Sequence, residues 1–163
     1  MMRIYGNSKG VNMSYEELLR EADKLGIIVK ELDLKTRKGR CCGNKIAIDK
    51  KLSIKEKACV LTEELGHFHK TVGDISNQKE INNRKQEIIA RRWGYEKSVG
   101  IIGLINAFNN NCKNAYEIAD FLEVTKEYLD ESIEYFKCKY GARYEIDGYI
   151  VYFLPKFGVC RMF

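Results

Sequence analysis

Apolar residues recur at helical spacing near the start of the chain. The segment Ser14-Tyr15-Glu16-Glu17 has the residues of a capping box, in which a serine and a glutamate three positions later cap the first turn of a helix. Apolar positions follow at helical spacing until Gly26, a residue type that commonly follows helix ends. We therefore predict a first helix that starts after Ser14 and is ended by Gly26.

A second capping box, Ser53-Ile54-Lys55-Glu56, precedes the most regular apolar pattern in the sequence. Apolar residues there alternate at spacings of four and three, which is typical of one buried face of a helix. They are Ile54, Ala58, Leu61, Leu65 and Phe68. These side chains are expected to face the core of the protein.

The remaining patterns predict four more helices and two groups of strands. Helices are predicted at about 80–97 and 101–108, and a helical hairpin at 114–122 and 126–139. Stretches rich in β-branched residues at 27–32 and 45–49 are expected to form a small antiparallel sheet. Near the end of the sequence, runs at 143–146 and 149–153 flank Asp147-Gly148, a dipeptide that favours a tight β-hairpin turn.

Composition places these elements in one unit. A chain of 163 residues, 45% of them hydrophobic, can fill one core but is short for two domains, so the expected class is α+β, mainly helical. The sequence has no apolar run near the roughly 18 residues of a membrane span, and residues 1–14 lack the apolar core of a signal peptide. We therefore expect a cytoplasmic protein with no membrane partner, whose six cysteines are free thiols.

The net charge of +5 is unevenly distributed. Basic clusters occur at 35–40, 50–51 and 91–92, and such clusters could meet nucleic acid or an acidic partner. We interpret them first as a solvated surface.

The predicted helix after Ser53 carries a candidate metal site. Each residue of an α-helix advances by about 100°, so Glu63 and His67, four positions apart, lie on the same face and could bind one ion. Glu64 lies about 60° from His67, between this face and the buried one, where it could hold a water on the metal. His69 points roughly 160° away from His67 and is not expected to be a ligand.

This spacing is that of the motif His-Glu-x-x-His, in which two helix residues coordinate zinc and the intervening glutamate is the general base. Here Glu63 stands at the first position. A carboxylate oxygen is an acceptable zinc ligand, but it makes the site more negative and richer in oxygen. The expected cation is Zn²⁺, with another divalent cation such as Mn²⁺ as the alternative.

Glu87 is the best candidate for a third ligand, because a catalytic zinc commonly has three protein ligands and one open position. Glu87, Ala90 and Gly94 share one stripe of the predicted helix at 80–97. The two small residues would let this helix pack closely enough for the carboxylate to reach the metal. Gly66, in a helix where glycine costs about 1 kcal/mol relative to alanine, also indicates a close approach.

In their order and spacing these motifs resemble the ImmA/IrrE metallopeptidases of bacteria, mobile elements and prophages. The usual pattern of that family is His-Glu-Leu-Gly-His with a downstream glutamate ligand, and its organisation resembles that of residues 14–99. The segments that carry the resemblance are Val60-Leu61-Thr62-Glu63-Glu64-Leu65-Gly66-His67, Thr71-Val72-Gly73-Asp74, Asn83-Arg84 and Glu87-Ile88-Ile89-Ala90-Arg91-Arg92-Trp93.

The resemblance implies a compact zincin-like (minimal gluzincin) region at 1–100, with 101–163 packed on it as a helical hairpin and a β-hairpin. It implies a metal-dependent endopeptidase with Glu64 as general base and with Glu63, His67 and Glu87 as metal ligands. The implied substrate is a protein, a helix-turn-helix repressor whose cleavage derepresses prophage, mobile-element or stress genes. Tyr95 or Arg84 could stabilise the oxyanion. The alternative is a catalytically weak relative that acts as a protein-binding regulator, an antirepressor.

The segment 116–135 also looks like a DNA-binding helix-turn-helix motif. Its charge argues against that function, because residues 114–135 contain seven acidic residues and one basic residue, Lys126. Glu123 stands where such a motif normally has its turn glycine. We therefore interpret it as a helical hairpin that packs beside the catalytic region or docks the partner, and we expect no direct DNA binding.

Overall fold

The computed structural model describes residues 13–71 and 80–162, so Val72-Gly73-Asp74 of the family-like motif lies outside the described residues. Helices and strands are mixed, which confirms the α+β class. The described helices are α1 (Tyr15–Lys24), α2 (Ile54–Thr71), α3 (Glu80–Ser98), α4 (Ile101–Asn109), α5 (Ala115–Phe121) and α6 (Lys126–Tyr140). The described strands are β1 (Ile28–Leu32), β2 (Gly39–Cys42), β3 (Lys45–Asp49), β4 (Arg143–Ile146), β5 (Tyr149–Tyr152) and β6 (Gly158–Arg161). None of these helices is long and apolar enough to cross a membrane.

The predicted capping boxes begin two of the helices. At α1 the Glu17 amide donates to Ser14 Oγ at 3.2 Å, and Ser14 N donates to Glu17 Oε2 at 3.0 Å. Before α2 the Glu56 amide donates to Ser53 Oγ at 3.3 Å, and Ser53 N donates to Glu56 Oε2 at 3.0 Å. Each box satisfies amide groups that a helix start otherwise leaves unpaired. Gly26 follows α1 with a φ of 71°, a conformation that favours glycine.

The first sheet has the strand order β1-β3-β2. β3 is parallel to β1 and antiparallel to β2, so the prediction of an antiparallel pair at 27–32 and 45–49 was wrong. The reason is β2, which lies in the connection and reverses the chain before β3, so that β3 runs in the same direction as β1. Little in Gly39-Arg40-Cys41-Cys42 predicts a strand, because these residues include no β-branched side chain.

The second sheet is antiparallel, with the order β4-β5-β6. Asp147 and Gly148 both have positive φ, at 49° and 80°, as a two-residue hairpin turn that follows the twist of the strands requires. The predicted β-hairpin is therefore confirmed. β6 was not predicted.

Buried apolar side chains form two clusters. The first joins α1 and α2 to the inner face of the first sheet and includes Leu18, Ile46, Ile48, Leu61 and Leu65. The second joins α4, α5 and α6 to the second sheet and includes Leu104, Leu122, Leu129, Phe136 and Val151. The third helix, α3, contributes to both, with Trp93 against the first cluster and Tyr95 in the second. The helix that provides Glu87 of the candidate metal site therefore packs against both clusters.

The buried stripe predicted for α2 is correct except at its start. Ala58, Leu61 and Leu65 are buried and Phe68 packs against the first cluster, but the side chain of Ile54 is 64% exposed. Ile54 is the first residue of the helix. Periodicity shows which face of a helix is apolar but not where the surface that it packs on ends.

Candidate metal centre

The helices α2 and α3 pack closely at two glycines. A Cβ on Gly66 would lie only 2.6 Å from the backbone oxygen of Ala90. On α3, a Cβ on Gly94 would lie 3.4 Å from Thr62 Cγ2 on α2 and 2.6 Å from the Tyr128 hydroxyl on α6. The close approach predicted from these small residues is confirmed. It brings the polar residues beside them on the two helices within reach of each other.

Glu63 and His67 of α2 and Glu87 of α3 converge at this junction. Each offers one ligand atom, and the three atoms all lie within 4.8 Å of one another. His67 Nε2 and Glu87 Oε2 are 3.4 Å apart. Two ligands at about 2.0–2.1 Å from a tetrahedral zinc are about 3.4 Å apart, so this pair already has a suitable separation. To bind a tetrahedral zinc, the two ligand atoms that lie farthest apart would have to approach each other by at most about 1.4 Å (4.8 − 3.4).

The three side chains fit a divalent cation in their chemistry as well. Two carboxylate oxygens and one imidazole nitrogen are donors that zinc accepts, and the oxygens also suit harder cations such as Mn²⁺. The side chains of Glu63 and His67 are 26% and 18% exposed, whereas that of Glu87 is 55% exposed. The site is thus open on the Glu87 side, where water or a substrate could approach.

Glu64 lies beside this group, under the edge strand β2. A Cβ on Gly39 would lie 2.8 Å from Glu64 Oε1, and the Cys41 amide donates a hydrogen bond to the Glu64 carboxylate. Burial and the nearby charges of Glu63 and Glu87 raise the pKa of Glu64 to about 7. The hydrogen bond from the Cys41 amide and the charge of Arg37 act in the opposite direction and lower this pKa. A carboxyl group with that pKa can both accept and release a proton near neutral pH.

Arg91 is the site residue that sequence analysis missed. Its Nε donates to Glu63 Oε1 at 3.2 Å, and the Glu63 carboxylate raises the pKa of Arg91. The signal was present in the sequence, because Arg91 follows Glu87 by four positions and so lies on the same face of α3. Its positive charge offsets part of the negative charge of three neighbouring glutamates.

The other residues considered from the sequence have different partners. The Tyr95 hydroxyl donates to Glu131 Oε2 of α6 at 2.6 Å, and burial raises the pKa of Tyr95. The His69 ring packs against Trp93 with ring centroids 4.9 Å apart. Arg84 is exposed. In the part of the chain that the structure describes, the group that could hold a metal consists of the three predicted ligands, and all six cysteines are free thiols.

No protein-family model, curated protein or solved structure matches the chain. The resemblance to the ImmA/IrrE metallopeptidases therefore rests on the sequence motifs alone and stays a prediction.

Proposed function

We propose that the protein is a metal-dependent endopeptidase of the zincin type, with Zn²⁺ as the expected cation and Mn²⁺ as the alternative. One observation carries the proposal. The three ligands predicted from sequence spacing, Glu63, His67 and Glu87, have ligand atoms within 4.8 Å of one another. The partly buried carboxylate of Glu64 lies next to them on α2, where a general base would be needed.

In the proposed reaction Glu63, His67 and Glu87 would hold the cation. The cation would supply a Lewis acid that polarises a peptide carbonyl and acidifies the attacking water. Glu64 takes a proton from that water as its oxygen bonds to the carbonyl carbon, and returns the proton to the amine nitrogen as the C–N bond breaks. The hydrogen bond from the Cys41 amide and the close approach of Gly39 orient the Glu64 carboxylate.

The edge strand β2 favours a polypeptide substrate. Among the described strands β2 pairs with β3 alone, which leaves its other side as a sheet edge, and this strand contacts Glu64. Sheet edges bind extended peptides through backbone hydrogen bonds. A substrate strand aligned there would pass close to the general base. Following the family resemblance, we propose a helix-turn-helix repressor as the substrate, whose cleavage would derepress prophage, mobile-element or stress genes.

A second candidate is a catalytically weak or inactive protein that binds and regulates the same partner. The ion pair between Arg91 and Glu63 favours it. A guanidinium that holds a carboxylate oxygen competes with a cation for that oxygen. In this alternative the fold acts as an antirepressor through binding alone.

Direct binding of DNA is disfavoured by the surface of the α5–α6 hairpin. The acidic residues of this hairpin are all exposed, and phosphate would repel them. They are Glu117, Asp120, Glu123, Glu127, Asp130, Glu131 and Glu134. The backbone at Glu123 has a φ of 56°, a left-handed conformation that glycine usually provides in such a turn.

The test uses Glu64→Gln, which keeps the shape of the side chain but removes the base. The wild-type protein should contain about one metal per chain and cleave a repressor encoded by a neighbouring gene. Glu64→Gln should retain the metal and lose cleavage, whereas the surface control Glu16→Gln should retain both. Lack of stoichiometric metal in the wild type, or undiminished cleavage by Glu64→Gln, would refute the peptidase. Partner binding without cleavage would support the regulator instead.

A further inference from the structure

The outward face of the first sheet forms a groove. Side chains alternate along a strand, so Ile46 and Ile48 of β3 face the core while Lys45 and Ala47 face outward. A cavity of about 570 Å³ lies over this outward face. We call it the basic groove, and its main lining residues are Ile28, Lys30, Leu32, Arg40, Lys45 and Ala47.

The register of the strands gives the groove an apolar floor between two cations. Lys30 of β1 and Arg40 of β2 both pair with Ala47, from opposite sides of β3. Since neighbouring strands lie about 4.8 Å apart, the Cα atoms of these two residues are roughly 10 Å apart, with only a methyl group between them. Ile28 and Leu32 extend the apolar surface and are 47% and 46% exposed.

The cations of the groove have no ion-pair partner among the residues that the structure describes. Neighbouring lysines are paired, Lys38 with Glu56 and Lys57 with Glu31. Within residues 13–71 and 80–162, by contrast, no carboxylate forms an ion pair with Lys30, Arg40 or Lys45. The acidic residue at the end of this face, Asp49, accepts a hydrogen bond from the Lys51 amide at 3.1 Å. The groove is therefore electrostatically complementary to an anionic ligand.

We propose that the basic groove docks an acidic peptide segment of a protein partner. Carboxylates of the peptide contact Lys30 and Arg40, and an aliphatic side chain between them covers Ala47. The lining favours a peptide over nucleic acid, because sites for single strands stack bases on aromatic side chains and none of the described residues that line this groove is aromatic. Aliphatic residues next to cations match an extended segment whose groove-facing side chains, at every second position, are acidic and aliphatic in turn.

The groove and the candidate metal centre share the strand β2. Arg40 lines the groove, while its neighbours Gly39 and Cys41 contact Glu64. A partner in the groove would thus be held on the same strand that contacts the proposed general base. Docking needs no metal, so the proposal holds or fails independently of the peptidase.

The test measures fluorescence anisotropy of a labelled peptide of about twelve residues, titrated with the metal-free full chain at low salt. Glutamate and leucine occupy every second position of this peptide in turn, with serine between them, so that both types of side chain share one face of the extended peptide. We expect saturable binding that weakens about tenfold or more in Lys30→Gln/Arg40→Gln. The same peptide with glutamine for glutamate should bind as weakly as the variant does. The matched control Lys24→Gln/Lys113→Gln changes the net charge equally at exposed positions outside the groove, and should bind like the wild type.

Three results would overturn the proposal. The first is no saturable binding of the peptide up to about 1 mM protein, and the second is an equal loss of peptide affinity in the control variant. The third is that a single-stranded oligonucleotide or phosphatidylserine vesicles bind through Lys30 and Arg40 more tightly than the peptide does. Circular dichroism of each variant checks that the fold is retained.

Discussion

The substitution Gly66→Ala tests the helix junction on which the candidate metal centre depends. In a helix with free space around it, alanine in place of glycine should stabilise the protein by about 1 kcal/mol. Here the added Cβ would lie 2.6 Å from the backbone oxygen of Ala90, where ordinary contacts begin at 3.4 Å. The helices must therefore separate by roughly 0.8 Å (3.4 − 2.6), and a backbone atom cannot rotate away as a side chain can.

The two effects have opposite signs, and the contact should dominate. Overpacking of this kind costs about 1–3 kcal/mol, so after the gain in helix propensity the expected net loss is about 1 kcal/mol. For a chain of this size, that loss lowers Tm by about 2–4 °C. Moving α3 also moves Glu87 away from His67, so zinc should raise Tm less in the variant than in the wild type.

Thermal unfolding with and without zinc measures both effects. The matched control is Gly158→Ala in β6, where an added Cβ meets none of the described residues within 4 Å, and its stability should change by less than about 0.5 kcal/mol. A higher Tm for Gly66→Ala would refute the close approach of α2 and α3. An unchanged zinc effect would refute its role in bringing the ligands together.

Three further predictions concern single side chains. In the peptidase proposal Arg91 orients Glu63, so Arg91→Ala should weaken zinc binding about tenfold in calorimetric titrations and Arg91→Lys should partly restore it. Unchanged affinity, or the tighter binding that competition for the Glu63 oxygen predicts, would contradict this role. Lys57 Nζ lies 2.7 Å from Glu31 Oε2 and lowers the pKa of Glu31 below its ordinary 4.5. This pair therefore stabilises the fold fully above pH 4.5, and the stabilisation is lost as the pH falls through the lowered pKa. Glu31→Gln should therefore make Tm less sensitive to acid below about pH 5, and equal sensitivity in both proteins would argue against it. Thr125→Ala should cost about 1 kcal/mol in urea unfolding through loss of the α6 N-cap, and Thr125→Ser should not, so equal midpoints for the two variants would contradict the cap.

Local features of the fold were predictable because they depend on short stretches of sequence. The capping boxes at Ser14 and Ser53 and the turn at Asp147-Gly148 each combine residues whose side chains or backbone preferences act within a few positions. The direction of pairing between β1 and β3 was not predictable in this way. Alternation shows which face of a strand is buried, but not which partner it has or in which direction that partner runs.

The candidate site shows the same difference. Glu63 and His67 follow from the geometry of one helix, and Glu87 could be proposed because small residues mark the face on which α3 approaches α2. The contact of β2 with Glu64 was not foreseen, because it depends on a strand that was itself not predicted. The exposure of Ile54 was missed for a similar reason, since it depends on where the packing surface ends.

The central claim is that Glu63, His67 and Glu87 together bind one divalent cation. Anomalous diffraction at the zinc absorption edge, from crystals grown with zinc, tests it most directly. The account predicts one strong peak at about 2.0–2.2 Å from a ligand atom of each residue, and loss of that peak in His67→Ala. No peak at these residues, or zinc found only on the free cysteines, would contradict the account.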